Sequence, residues 1–217
     1  MNQRPLSSGE PALRLWLARV LALCGLLAAG RLVVHLASHW VAVRGAQAWV
    51  MAHPTLSWSA RVWALPMLAY GVLGAWLLIT QRSLWKQAPY LVGSGVVAVL
   101  YAALHVKQLY DVQPGPSAST RAVYETLWVH AGQWPWLVAH VLGICAVSLH
   151  VSLGLPKALS VLTKAREGAA RLLGLVCGLA LLAFQVQLLS YFAIGQPLIS
   201  IASQQSVESA HDDSSGF

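Results

Sequence analysis

Residues 134–156 read WPWLVAHVLGICAVSLHVSLGLP, a stretch that contains no Asp, Glu, Lys or Arg. An α-helix rises about 1.5 Å per residue, so about 20 apolar residues cross the roughly 30 Å hydrocarbon core of a bilayer. The backbone polar groups of a membrane segment must be satisfied within the protein, and this stretch lacks the two-residue alternation of a barrel strand. It therefore predicts a transmembrane helix.

Other apolar stretches of similar length lie on both sides of this one. Together they predict five transmembrane helices, near 13–38, 62–80, 90–110, 134–156 and 170–194. The composition agrees, because only 10% of the residues are charged, whereas a soluble domain has about 25%. The expected fold is an all-α membrane bundle over 13–195, with a short segment 1–12 before it and a polar, acidic tail 196–217 after it.

Basic residues are distributed unevenly between the two sides of this bundle. The side that holds the N-terminus carries the larger set: Arg4, Arg14, Arg19, Arg82, Lys86, Lys157, Lys164, Arg166 and Arg171. The opposite side carries Arg44, Arg61, Lys107 and Arg121. The positive-inside rule places the N-terminus in the cytoplasm and the C-terminus outside, in a membrane of the bacterial inner type. Because the net charge of +7 is explained by topology, nucleic acid is not an expected partner.

The first apolar run and the loops limit what the chain can do alone. The run is too long for the apolar region of a cleaved signal peptide and has no clear cleavage site. The predicted cytoplasmic loops are too short for a folded catalytic domain. Any reaction on a soluble substrate is therefore expected on a partner subunit.

Two histidines lie at matched depths in the predicted membrane. His35 is about 5 Å below the outer end of the first helix, and His105 is about 7 Å below the outer end of the third. Two neutral imidazoles on different helices at one depth suit the axial positions of a haem iron. A packed histidine, a proton relay and a quinone contact are the alternatives for such residues. His39, at the boundary, is expected to contact water or lipid headgroups.

The fourth predicted helix carries His140 near its outer end and His150 near its inner end, almost three turns apart. Arg31 lies one turn before His35, and Lys107 follows His105. Each of these cations either pairs with a haem propionate or extends to the membrane surface. No Asp or Glu lies inside the predicted spans, which argues against a proton pump or a cation-coupled transporter.

Four segments occur in an order that matches a known family. They are LVVHLASHW in the first predicted helix, LPMLAYGVLG in the second, LYAALHVKQ in the third and WPWLVAHVLGICAVSLHVSLGL in the fourth. With these segments, the chain resembles, over about 13–195, the five-helix cytochrome b membrane anchor of succinate dehydrogenase and fumarate reductase, in its single-chain, di-haem form.

The resemblance implies two bis-histidine haem b groups, with one ligand from each of the first four helices. His35 and His105 would hold the outer haem, and His150 and the matching second-helix position would hold the inner one. That position is Tyr70 here, where the family has histidine. One or two haems are therefore expected: the inner haem is absent, is held by His150 alone, or is held with Tyr70 or another ligand such as His140.

The resemblance also implies partners, namely a flavoprotein subunit and an iron–sulfur subunit on the cytoplasmic face of the lipid membrane. Electrons would pass between the iron–sulfur subunit and a quinone, menaquinone or ubiquinone, and this chain alone would not act on succinate. Candidate quinone contacts near the cytoplasmic face are Arg14, Trp16, Arg19, Trp85 and Lys86. Arg14, Arg19 and Lys86 could equally serve only to set the membrane topology and to contact the soluble subunits. The other interpretations are a cytochrome b of another quinol-oxidising respiratory complex and a haem-free structural or transport protein.

Overall fold

The structure is a computed structural model that describes residues 10–52, 58–80, 83–112, 120–163 and 166–195. Across these ranges the regular secondary structure is helical, and no β-strand occurs in them. The helices are α1 (Glu10–Trp40), α2 (Ala46–Ala52), α3 (Trp58–Thr80), α4 (Ser83–Gln87), α5 (Pro89–Val112), α6 (Thr120–Ala131), α7 (Trp134–Thr163) and α8 (Glu167–Ile194). A 3₁₀ turn, Val41–Arg44, follows α1.

Four segments among the described residues are long and apolar enough to cross a membrane. They are Leu15–Arg44, Pro89–Gln108, Trp134–Thr163 and Glu167–Ile194. Large apolar side chains are exposed along them, including Val33, Leu100, Leu142 and Leu172. Such a surface is unfavourable in water and suits lipid. The chain is a multi-pass, all-helical membrane protein.

The predicted span at 62–80 corresponds to α3. This helix extends over Trp58–Thr80 and packs against α1. Its described apolar stretch, Ala69–Thr80, is shorter than a membrane span. Four of the five predicted spans therefore have a counterpart long enough to cross, and the crossing of α3 stays a prediction.

The helix α7 continues through Pro156 to Thr163, beyond the predicted end at 156. Proline removes one helical hydrogen bond, but such helices persist in membranes where a neighbouring helix packs closely. A Cβ on Gly174 of α8 would lie 2.6 Å from Pro156 Cγ, and one on Gly178 would overlap the Ser152 hydroxyl. Small residues thus allow α7 and α8 to pack in close contact.

The short helices α2 and α6 pack together at one end of the bundle. Trp49 of α2, Tyr124 and Leu127 of α6 and Phe192 of α8 form a buried core there, with Ala42 and Ala131. We call this the α2–α6 end. The helices α1 and α5 end near this end, and α7 begins there. His35, His105 and His140, which lie close to these helix ends, are therefore near one another.

Candidate functional site

His35 on α1 and His105 on α5 lie next to each other near the α2–α6 end. Their ring centroids are 6.3 Å apart, and the ring planes are inclined by 74°. Two imidazoles on opposite sides of one metal ion have centroids roughly 6 to 6.5 Å apart, because each metal–nitrogen bond is about 2 Å long. The separation of His35 and His105 therefore matches the distance between two axial ligands of a haem iron, and it also lies in the range of ordinary contacts between aromatic rings.

Two more imidazoles extend this pair into what we call the four-histidine cluster: His35, His39, His105 and His140. The His39 ring centroid is 4.2 Å from that of His35, and the His140 centroid is 6.0 Å from that of His105. His39 Nδ1 lies 2.9 Å from the carbonyl oxygen of His35, and His140 Nδ1 lies 2.7 Å from that of Trp136. Since a carbonyl only accepts, both histidines donate from Nδ1–H and keep a lone pair on Nε2.

A haem needs fewer protein ligands than a metal ion that is bound by side chains alone. Within the described ranges, no group of three or more His, Cys, Asp or Glu is arranged to hold a metal ion. Haem iron takes its axial ligands from the protein, and the porphyrin nitrogens supply the rest. His35 and His105 provide the required number on two different helices.

A layer of polar and aromatic side chains lies behind His105. Gln108 follows it by one turn on α5 and is only 1% exposed. Gln108 Nε2 donates to His130 Nδ1 of α6 over 2.8 Å, and the His130 ring stacks on Trp136 at 4.9 Å. Among the described residues, His105 Nδ1 and Gln108 Oε1 are buried without a hydrogen-bond partner. Buried polar atoms of this kind are costly unless satisfied, so both require a partner.

Tyr101 contacts two members of the cluster from the preceding turn of α5. Its ring centroid is 5.9 Å from that of His105 and 5.6 Å from that of His140. The ring lies directly on Gly143 of α7, where a Cβ would overlap it. This packing restricts the orientation of both imidazoles.

Tyr70 on α3 and His150 on α7 form a second polar site, farther from the α2–α6 end. The Tyr70 hydroxyl lies 2.7 Å from His150 Nε2, and His150 Nδ1 lies 3.1 Å from the Leu91 carbonyl oxygen. Because that carbonyl can only accept, His150 carries its proton on Nδ1 and accepts from Tyr70 at Nε2. The Ser94 hydroxyl donates to the same carbonyl over 3.1 Å. These bonds connect α3, α5 and α7.

The Tyr70–His150 pair does not fit an inner haem. Two axial ligands of one iron have donor atoms about 4 Å apart, whereas the hydroxyl oxygen and Nε2 are in direct contact. Two glycines close the space around the rings: a Cβ on Gly25 would lie 3.0 Å from Tyr70 Cε2, and one on Gly95 would lie 2.9 Å from His150 Cε1. As placed, the two donor atoms are too close together to hold one iron between them.

The cations predicted beside the outer haem lie next to the four-histidine cluster in sequence. Arg31 is half-buried on α1, one turn before His35, and Lys107 is exposed on α5. The contact of these two cations with haem propionates stays a prediction.

The predicted quinone contacts lie on α1 and α4. Trp16, Arg19, Trp85 and Lys86 are all exposed. Arg14 lies on α1, before the first side chain that the structure describes. A role of this set in quinone binding stays a prediction.

His39 and Gln108 are neighbours of His35 and His105 that the sequence does not identify. His39 is expected at the lipid headgroups, but its ring lies beside His35 and contacts Trp49 with centroids 4.9 Å apart. The available signal is spacing, since His39 follows His35 by four residues and Gln108 follows His105 by three. Residues at these spacings share a helix face.

Comparisons of the chain with protein-family models, with curated proteins and with solved structures found no match. The functional conclusion therefore rests on the residues and their geometry.

Proposed function

We propose that this chain is a cytochrome b membrane anchor. It holds haem b between His35 and His105 and passes electrons between an iron–sulfur subunit and a membrane quinone. The observation that carries the proposal is the separation of 6.3 Å between the two imidazole centroids, from different membrane helices. When bound, haem b supplies a one-electron carrier whose potential depends on its ligands and surroundings.

The side chains around the pair have distinct roles in this proposal. His35 and His105 bind the iron, and Tyr101 restricts rotation of the His105 ring through the contact at 5.9 Å. Arg31 and Lys107 pair with the haem propionates, since a cation and a carboxylate form a strong, charge-assisted contact. The His140 ring packs beside this pair, with its centroid 6.0 Å from that of His105.

The proposed haem content is one per chain. The direct hydrogen bond of 2.7 Å between Tyr70 and His150 supports this number, because it occupies the ring nitrogen that an inner haem would need. In this protein the Tyr70–His150 pair connects α3 and α7 at the place where the family that the chain resembles binds a second haem.

The proposed topology has five membrane helices, with α3 as the fifth. The N-terminus is cytoplasmic and the C-terminus is outside, in a membrane of the bacterial inner type. The uneven distribution of basic residues supports this orientation. The four-histidine cluster then lies near the outer face.

The proposed partners are a flavoprotein subunit and an iron–sulfur subunit that dock at the cytoplasmic face. The complex would be a succinate or fumarate:quinone oxidoreductase, in which this chain does not itself act on succinate. The side chains predicted near that face would contact menaquinone or ubiquinone, or the docked subunits: Arg14, Trp16, Arg19, Trp85 and Lys86. Another quinol-oxidising respiratory complex would use the same haem chemistry with a different soluble enzyme.

The first test is the haem content of the protein purified from membranes with its partners. A pyridine haemochrome assay with protein quantitation should give one haem b per chain. His35→Ala and His105→Ala should each lose this haem, because a six-coordinate, low-spin centre needs both ligands. His150→Ala is the matched control, a membrane histidine outside the four-histidine cluster, and should retain it.

The other outcomes separate the alternatives. A colourless wild-type protein would overturn the haem proposal and leave a haem-free membrane protein. Two haems per chain would overturn the interpretation of Tyr70 and His150. The identity of the copurifying flavin and iron–sulfur subunits distinguishes succinate or fumarate chemistry from another quinol-oxidising complex.

A further inference from the structure

We propose that Gln108 is a positioning residue for His105. Its amide oxygen accepts a hydrogen bond from Nδ1–H of His105 when that histidine binds iron through Nε2. The inference rests on the proposed function, because it concerns a histidine that acts as a haem ligand. It adds a role for a residue that does not contact the iron.

The burial of Gln108 indicates a specific role for its polar side chain. A neutral amide in a membrane helix is unfavourable unless it is hydrogen-bonded. Gln108 is 1% exposed, and its Nε2 is bonded to His130 Nδ1 over 2.8 Å. Its Oε1 is buried and has no hydrogen-bond partner among the described residues. One half of the amide is therefore satisfied by the protein fold, and the other half requires a donor.

The matching donor is on the same face of the same helix. His105 Nδ1 is the other buried side-chain atom without a partner in the described part of the chain. Gln108 follows His105 by three residues, a spacing that places two side chains next to each other on a helix. The two atoms form a matched donor and acceptor when His105 carries its proton on Nδ1.

Iron binding determines the direction of this hydrogen bond. A neutral imidazole that binds a metal through Nε2 carries its proton on Nδ1 and becomes a donor there. Gln108 Nε2 donates to His130 on α6, so the amide nitrogen is directed toward α6. The amide oxygen, Oε1, is then the atom that can accept a hydrogen bond from His105. The arrangement links the haem ligand to α6 through three side chains, His105, Gln108 and His130.

The expected effect is on the electronic properties of the haem. A hydrogen bond accepted from a ligating histidine increases the basicity of the ligand and keeps its ring in place. A more basic ligand favours ferric over ferrous iron and lowers the reduction potential. Gln108 would therefore hold the potential below the value that His105 alone would set.

The test compares three variants of the purified complex by redox titration and by EPR of the ferric haem. Gln108→Leu removes the acceptor, and Gln108→Glu retains one. Gln185→Leu is the matched control: Gln185 is a buried membrane glutamine that donates to Ser148 Oγ over 3.3 Å. Ser148 is about 12 Å along α7 from His140.

The expected result is an upward shift of the potential in Gln108→Leu, with haem content unchanged. Loss of an outer-shell partner changes metal affinity by about tenfold or more. If a change of about tenfold falls on the ferric state alone, the potential shifts by about 59 mV for one electron. The low-spin g values should change as well. Gln108→Glu and Gln185→Leu should not show the upward shift.

Each contrary result has a defined meaning. Full haem with an unchanged potential and EPR spectrum in Gln108→Leu would overturn the role of Gln108 and leave the proposed function intact. An equal shift in Gln185→Leu would overturn it too. If Gln108→Leu loses its haem, retention in Gln108→Glu supports the proposal and loss in both overturns it. A wild-type complex without haem overturns the proposed function itself.

Discussion

His105 and His150 lie in the same bundle, but their ring nitrogens have different partners. His105 Nδ1 is buried without a hydrogen bond among the described residues. His150 is bonded at both nitrogens, to the Tyr70 hydroxyl and to the Leu91 carbonyl. Binding of a metal at Nε2 of His150 would break its hydrogen bond to Tyr70, whereas binding at Nε2 of His105 leaves Nδ1–H to donate to a neighbouring acceptor. The hydrogen bonds of each histidine therefore separate the candidate ligand from the structural residue.

Substitution of Tyr70 tests the structural role directly. Tyr70→Phe removes the donor and leaves His150 Nε2 unsatisfied, so we expect a loss of about 0.5–2 kcal/mol in unfolding free energy. Haem content should stay at one per chain. Thermal unfolding in detergent measures the first effect, and the haemochrome assay measures the second. Tyr90→Phe, at a tyrosine that is 76% exposed, is the control and should be neutral. Equal stability of the two variants would contradict the bridging role.

Part of the residue-scale picture could be predicted from the sequence. The proximity of the His35 and His105 rings could be predicted from their depth, because the rise per residue of a helix is constant. The direct contact of Tyr70 with His150 could not be predicted, since it depends on how α3 and α7 are rotated about their axes. The same holds for Gln108, whose partner His130 lies on a different helix.

At the scale of elements, α7 and α8 pack closely through small residues. Gly174 and Gly178 lie one turn apart on α8, and each meets a residue of α7 at short range. Lipid provides no hydrophobic driving force between helices, so close backbone contact and van der Waals packing hold such a pair together. The position of α7, and with it that of His140 and His150, depends on this contact.

A larger side chain at this contact should separate the two helices. In Gly178→Leu the new side chain would overlap the Ser152 hydroxyl and the Ser148 carbonyl, and we expect a loss of about 1–3 kcal/mol in stability. Helix content followed by circular dichroism during thermal unfolding measures it. Gly168→Leu is the matched control on the same helix, because no atom lies within 4 Å of a Cβ there. A similar melting temperature for both variants would contradict the packing argument.

The extents of the elements were only partly predictable. Apolar runs indicated helices α1, α5, α7 and α8, because length and composition determine whether a helix can cross lipid. The continuation of α7 beyond Pro156 was not predictable, because it relies on the fit of that ring against Gly174. The sequence does not show that α2 and α6 share a core either, because their contact joins residues such as Trp49 and Tyr124, distant along the chain.

At the scale of the whole molecule, the proposed mechanism requires a defined orientation in the membrane. The proposed topology places the four-histidine cluster near the outer face and the docked iron–sulfur subunit at the opposite, cytoplasmic face. The orientation depends on basic residues in the loops, and the number of crossings depends on α3, whose described apolar stretch is only Ala69–Thr80. Both features can be tested with one set of variants.

Three exposed glutamines report on the topology: Gln47 on α2, Gln87 on α4 and Gln133 between α6 and α7. Each is replaced by cysteine in a chain whose native Cys24, Cys145 and Cys177 are changed to serine. A membrane-impermeant maleimide added to right-side-out vesicles should label Gln47→Cys and Gln133→Cys but not Gln87→Cys, and inverted vesicles should give the opposite pattern.

If α3 does not cross, Gln47→Cys and Gln87→Cys will be labelled from the same side. If all three labels are reversed, the cluster faces the cytoplasm, and electrons from the docked subunit would reach His35 and His105 without crossing the membrane.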